Sequence, residues 1–237
     1  MKKIILIAAV LLSTYSYAQK IKGNGNLTTQ TRTTGNYDGI KCYGSFDYIL
    51  VAGNEGTITL EGEENLLDYI ITEVNGNDLI VKQKDRVNLR PSMNRTIKIT
   101  IPFKDISTVS LSGSGDLWNT HTISATNFEA HLNGSGDLSL TLAANTVKSS
   151  LSGSGDLTLK GQTDSLKVNV SGSGDFEGSK LASNHTDVSL SGSGDAEVVS
   201  NISLKARVSG SGDIEYKGNP TQEDTRVSGS GSISKDD

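Results

Sequence analysis

From about residue 147 towards the C-terminus, apolar and polar residues alternate with a period of two. Val147, Ser149 and Leu151, then Leu166, Val168 and Val170, then Thr186, Val188 and Leu190, then Leu204, Ala206 and Val208 occupy the odd positions of four pentads and are mostly apolar. Lys148, Lys167, Asp187, Lys205 and Arg207 fall between them. Successive side chains of a strand point to opposite faces, so each pentad predicts a strand with one apolar and one polar face. After a short interruption the pattern resumes. Leu117, Leu138, Leu157, Phe176, Ala196, Ile214 and Ile233 open a second strand, and Leu140, Leu159, Val198 and Tyr216 follow two residues later.

The interruption is a repeated pentapeptide, Ser-Gly-Ser-Gly-Asp. It begins at Ser112, Asn133, Ser152, Ser171, Ser191, Ser209 and Ser228, where the second copy opens with Asn and the last ends in Ser232. The spacings are 21, 19, 19, 20, 18 and 19 residues. The glycines (Gly113 and Gly115, Gly134 and Gly136, Gly153 and Gly155, Gly172 and Gly174, Gly192 and Gly194, Gly210 and Gly212, Gly229 and Gly231) therefore mark turns at a fixed register, where positive φ or close backbone approach is needed. A unit of about 19 residues with two strands cannot bury its own apolar face and has to stack on its neighbours. The predicted fold is all-β: a parallel β-helix, or solenoid, whose Gly-Ser-Gly-Asp turns lie one above another.

Residues 19–110 lack the pentapeptide but read as strand after strand. Phe46 to Val51, Thr57 to Leu60, Tyr69 to Val74, Leu79 to Lys84 and Thr96 to Ile101 are rich in Ile, Val, Thr and Tyr. Asn75-Gly76-Asn77-Asp78 is a hairpin signal, and Glu63 to Asp68 predicts one helical turn. This region is read as an N-terminal cap with degenerate rungs, continuous with the regular repeats of residues 111–237. Lys235-Asp236-Asp237 reads as charged protection of the last edge. Residues 1–18 have the order of a signal peptide: Lys2 and Lys3, an apolar run from Ile4 to Leu12, and Ser16-Tyr17-Ala18 before Gln19. The expectation is an exported protein, periplasmic or at the cell surface, without a membrane span once the leader is cleaved.

The run Phe46-Asp47-Tyr48-Ile49-Leu50-Val51, the segments Thr57 to Gly62 and Tyr69 to Val74, Asn75-Gly76, Leu79-Ile80-Val81 and the serial Gly-Ser-Gly-Asp turns resemble the putative auto-transporter adhesin, head GIN domain family. The likeness covers about residues 36–233. It implies a right-handed, pectin-lyase-like β-helix in exported bacterial proteins with an adhesive role, and by analogy a homo-oligomer such as a trimer.

Composition narrows the chemistry. Losing Lys2 and Lys3 takes the formal charge from −5 to −7, which argues against a nucleic-acid partner. Aromatics at 5% argue against an aromatic-lined pocket. The single Cys42 has no partner for a disulfide and reads as a buried small residue. Asp116, Asp137, Asp156, Asp175, Asp195 and Asp213 would stack one rung apart, which raises the question of calcium. Calcium-binding repeats recur every nine residues and leave one residue between Gly and Asp, and neither holds here. Each Asp is instead expected to accept N–H bonds within its own turn, and each middle serine to bond along the stack. Seven equivalent serines cannot all be nucleophiles, and His121, His131 and His185 fall in different rungs. No cofactor is implied. The expected function is a non-enzymatic, adhesin-like binding or scaffold protein that meets glycan or protein with a repetitive polar face. A polysaccharide-active enzyme and a structural rod without a ligand are the alternatives.

Overall fold

The computed structural model describes residues 19–92 and 95–236, so the leader read at residues 1–18 lies outside the described residues. Strands dominate, because alternating Val, Leu and Ile can bury one face only by stacking in register. Val147, Leu166, Thr186 and Leu204 form one inward column through parallel pairing, and Leu151, Val170, Leu190 and Val208 form another. All of these are buried. On the second wall Leu138, Leu157, Phe176, Ala196 and Ile214 stack in the same way and are at most 1% exposed. Each buried side chain of this size contributes about 1.5–3 kcal/mol, so the two walls zip into one continuous core.

The strands Leu138–Gly153, Leu157–Gly172 and Phe176–Gly192 run through a second corner that lacks the pentapeptide. Buried hydroxyls close that corner instead. Thr163 Oγ1 donates to Ser165 O at 3.1 Å, Ser183 Oγ to His185 O at 3.1 Å, and Ser200 Oγ to Ser203 O at 2.6 Å. Hydroxyls aimed inward would be costly in an apolar core, and here each has a backbone acceptor.

In the N-terminal part the rungs do not follow chain order. Gly39–Gly44 lies between Asp78–Gln83 and Thr108–Gly113, parallel to both. Asp47–Ala52 lies likewise between Lys98–Phe103 and Leu117–Asn119. The first rung in sequence is therefore interior to the stack, and the chain leaves it, builds the end and returns. The end is antiparallel: Leu27–Thr33 pairs with Thr57–Glu63, which pairs with Lys98–Phe103, and Ile70–Asn75 forms a hairpin with Asp78–Gln83 about Gly76. One helical turn, Glu64–Leu67, buries Leu66 and Leu67. Crossing strands and an apolar turn cover the exposed end of the core, as a solenoid requires.

The other end is blunted in part by polarity, although Val227, in register with the buried Val208, is left 46% exposed there. The strand Gln222–Gly229 places Glu223 and Thr225 at positions in register with the buried Leu204 and Ala206 below. The C-terminal charges pair back on the previous rung, with Lys217 Nζ 3.0 Å from Asp236.

The cap holds one buried carboxylate. Glu63 is 1% exposed and accepts bonds from Gly25 N–H at 2.6 Å, Ser92 N–H at 2.8 Å and Ser92 Oγ at 2.7 Å. Burial pushes its pKa up, but the Ser92 and Gly25 donors and nearby Arg95 outweigh that and hold it below the ordinary carboxylate value. A lowered folded-state pKa gives stability that is full above the unfolded value, about 4.3, and is lost as pH falls through the folded value. Glu63→Gln should therefore cost about 2 kcal/mol at pH 7. In urea unfolding the gap from wild type should close as pH is lowered below about 4.

Candidate functional site

The surface of this rod is organised by its turns. The first glycine of each pentapeptide has a φ between 126° and 140°. Its carbonyl accepts two bonds from the next rung: Ser154 N–H and Gly155 N–H reach Gly134 O at 2.9 and 3.1 Å, and the same pair recurs along the stack. A Cβ on Gly153 would lie 2.1 Å from Gly134 O, and one on Gly155 would lie 2.0 Å from Gly136 O. Both glycines are thus required by the backbone of the rung beneath.

This arrangement corrects the expected role of the aspartates. The Ser and Gly N–H groups of each turn point at the rung below, so neither is free for the Asp of its own turn. The carboxylate reaches the next rung instead. Asp175 Oδ1 accepts Asp195 N–H at 2.8 Å, Asp195 Oδ1 accepts Asp213 N–H at 2.8 Å, and Asp213 Oδ1 accepts Ser232 N–H at 2.7 Å. Asp116, Asp137 and Asp156 do the same at 3.3 Å. The column is a ladder of side-chain to backbone bonds. Among the described residues no three of His, Cys, Asp and Glu converge to hold a metal ion.

The middle serines, Ser114 to Ser230, bond along the stack through their N–H groups while their side chains are exposed. The histidines are held by neighbouring hydroxyls. His131 Nδ1 lies 2.7 Å from Ser150 Oγ and its Nε2 3.5 Å from Glu129; His185 Nδ1 lies 2.8 Å from Ser203 Oγ; His121 Nδ1 lies 2.9 Å from Thr120 Oγ1. Cys42 is fully buried, and burial pushes its thiol pKa up, away from the reactive thiolate.

The feature with the reach of a binding site is the wall before the turns. From Asp78–Gln83 to Gln222–Gly229, nine strand segments pair in parallel among the described residues. At ~4.8 Å per strand the wall is about 38 Å long. Each rung sets one outward residue in each column, and one column runs Ser112, Asn133, Ser152, Ser171, Ser191, Ser209, Ser228. Opposite charges meet across rungs: Lys148 Nζ lies 3.3 Å from Glu129, Lys205 Nζ 2.9 Å from Asp187, and Arg207 pairs with Asp224.

Set beside known proteins, the chain matches the family model of the putative auto-transporter adhesin, head GIN domain, over residues 36–220. The chain belongs to this family. The match spans cap strands and regular rungs alike. Solved structures with the same fold include a putative adhesin from Bacteroides fragilis, with 23% identity, a TM-score of 0.82, and 91% of this chain and 100% of that one covered. A putative lipid binding protein from Parabacteroides distasonis has 26% identity and a TM-score of 0.75, with 92% and 100% covered. A putative adhesin from the same species has 22% identity and a TM-score of 0.70, with 92% and 100% covered. No curated protein matches.

In this head GIN member the stack of turns includes one more, outside the seven pentapeptides. Gly44-Ser45-Phe46-Asp47 stacks directly beneath Gly113-Ser114-Gly115-Asp116, and Gly115 N–H donates to Gly44 O at 3.1 Å. Phe46 stands where the other copies have their second glycine. No glycine turn lies beneath it, so its ring fills the space, 2% exposed and edge-on to Tyr48 at 6.1 Å. The sequence signal is Gly-Ser-x-Asp followed by an apolar residue, hidden because the cap interrupts the spacing.

Gly155→Ala in mid-stack should cost on the order of 3 kcal/mol through backbone overlap. The same change at Gly231 should cost clearly less in thermal unfolding, because a terminal rung can shift. Asp156→Asn keeps an acceptor for Asp175 N–H and should be near neutral, whereas Asp156→Ala should cost about 1 kcal/mol. Calcium should raise the melting temperature no more than magnesium at equal ionic strength.

Proposed function

We propose that the protein is a non-enzymatic, exported adhesin of the bacterial envelope that lays its polar wall against a glycan or a protein. The observation that carries this reading is the register of that wall: the same polar column recurs on seven successive rungs, from Ser112 to Ser228, over about 29 Å. Each contact from such a column is weak, and a ligand that spans several rungs multiplies them. The adhesin family and the leader-like residues 1–18 support export.

Charge on the wall favours binding over turnover. A general acid needs a carboxyl held protonated by a raised pKa. Glu129 is shifted the other way, its pKa lowered chiefly by the Lys148 hydrogen bond, with burial opposing and His131 assisting. Asp224 is likewise lowered, first by its bond from Arg207. The Parabacteroides distasonis relative described as lipid binding raises a lipid ligand, but the columns between the two walls are filled by packed side chains such as Leu138, Leu157 and Phe176. A polar wall fits sugar hydroxyls or a protein surface better than an acyl chain.

The test is a binding screen of the mature protein against envelope glycans and extracellular matrix proteins, with product formation assayed on the same polysaccharides. Saturable binding without product is expected. Asn169→Glu with Ser171→Glu, in the middle of the wall, should weaken binding about tenfold with an unchanged melting temperature. Polysaccharide cleavage, or binding indifferent to the mid-wall pair, would sink the proposal.

A further inference from the structure

The polar wall has a distinctive end. Below Ser112 its serine column continues through Tyr43, in register with Ser112, and then through Lys82, one position beyond the Cys42 and Val81 pair. Tyr43 is 39% exposed, one of few large apolar side chains so exposed among the described residues. Tyr43, Lys82, Lys84, Asp85 and Arg86 line a groove of about 450 Å³. Three bases thus face one acid in a chain whose net charge is negative. Lys82 is tied to Glu73 at 3.2 Å and Lys84 Nζ lies 5.4 Å from the Tyr69 ring. Among the described residues neither Lys84 nor Arg86 forms a salt bridge, so both charges are available. The groove at Arg95 and Lys98 also holds two bases against one acid, Glu61, which Lys98 pairs at 3.1 Å, whereas the groove over Asp164 and the groove over Asp38 and Asp105 contain acids and no base.

The backbone supplies an independent sign. Arg86 has a φ of 60°, and it is the sole non-glycine residue with positive φ among those described. Glycine or asparagine adopts that conformation at lower cost. An arginine in that conformation, with its side chain exposed at the groove, points to a use for the guanidinium.

We propose that this groove is the anchoring subsite for an acidic polysaccharide. A sugar ring stacks on Tyr43, its carboxylate is held by Lys84 and Arg86, and the chain continues along the serine column towards Ser112. Aromatic stacking and charge-assisted bonds fix one acidic sugar, and the serine hydroxyls bond the sugars beyond it. The wall carries the same bias, with seven bases against four acids among its outward residues. This inference rests on the reading of the wall as a binding surface.

The experiment titrates the mature protein with oligogalacturonate and with a neutral cello-oligosaccharide of equal length, at low and high salt. Saturable, salt-sensitive binding of the acidic chain is expected, with the neutral one at least tenfold weaker. Lys84→Glu with Arg86→Glu should weaken the acidic chain about tenfold or more, and Tyr43→Ala several-fold. Arg86→Gly should weaken binding while raising the melting temperature, a pairing that a merely structural role would not produce. Equal affinity for the neutral chain, or charge reversal without effect, would overturn the subsite. So would capture of phosphatidylglycerol vesicles through these bases with no binding of oligogalacturonate, which would assign them to a membrane surface. If the mid-wall pair Asn169→Glu and Ser171→Glu abolishes binding and the basic-groove variants do not, the subsite falls and the adhesin reading stands. If the wild type binds neither oligosaccharide, the subsite also falls, and the adhesin reading is then decided by protein and other glycan ligands.

Discussion

Everything in this molecule depends on how closely one turn can lie on the next. The carbonyl of the first glycine in each turn sits where a Cβ of the glycine above would be, about 2 Å away. Only glycine allows the parallel strand spacing to pass unbroken around that corner, because any side chain would lift the rung and stretch the ladder bonds on both walls. The same contact uses the Ser and Gly N–H groups of each turn, which leaves the Asp N–H to be satisfied by the carboxylate below. Glycine, serine and aspartate in the pentapeptide are therefore three parts of one hydrogen-bonding problem, solved once and repeated.

A stack held this rigidly has consequences for its surface. Outward residues inherit the register of the core, so Glu129 and Lys148, or Asp187 and Lys205, meet as a by-product of burying Phe128 and Val147 or Thr186 and Leu204 one position away. Individually such exposed pairs contribute little to stability. Their effect is on the field of the wall: Asp78, Glu129, Asp187 and Asp224 are each paired with a base, and beyond the cap end of the wall, beside Tyr43, Lys84 and Arg86 form no salt bridge among the described residues. Stability is thus separated from surface chemistry. The turns and the two apolar walls hold the fold, and the outward columns are free to vary.

The cap shows what a solenoid needs where repetition stops. An open rung would expose backbone donors and an apolar cross-section together. At one end antiparallel strands and the Leu66 and Leu67 turn cover it; at the other Glu223 and Thr225 make two columns of the cross-section polar, while Val227 ends a third and is exposed. Glu63 belongs to the first solution, with its carboxylate satisfying N–H groups of Gly25 and Ser92, which lie far apart in the chain.

The repeat, the two walls, the inward columns and the family were all legible in the amino-acid sequence, because period-two alternation and a turn that tolerates only glycine are local properties of the chain. The hairpin at Gly76 and the single helical turn at Glu64 were legible for the same reason. The partner of each Asp, the place of Gly39–Gly44 inside the stack, the kinship of Gly44-Ser45-Phe46-Asp47 with the later turns, and the meeting of Tyr43 with Lys82, Lys84 and Arg86 were not. Each depends on which segments become neighbours across tens of residues. That choice is made when the chain leaves its first rung to build the cap and comes back to lie on the other side of it, and no local pattern records the return.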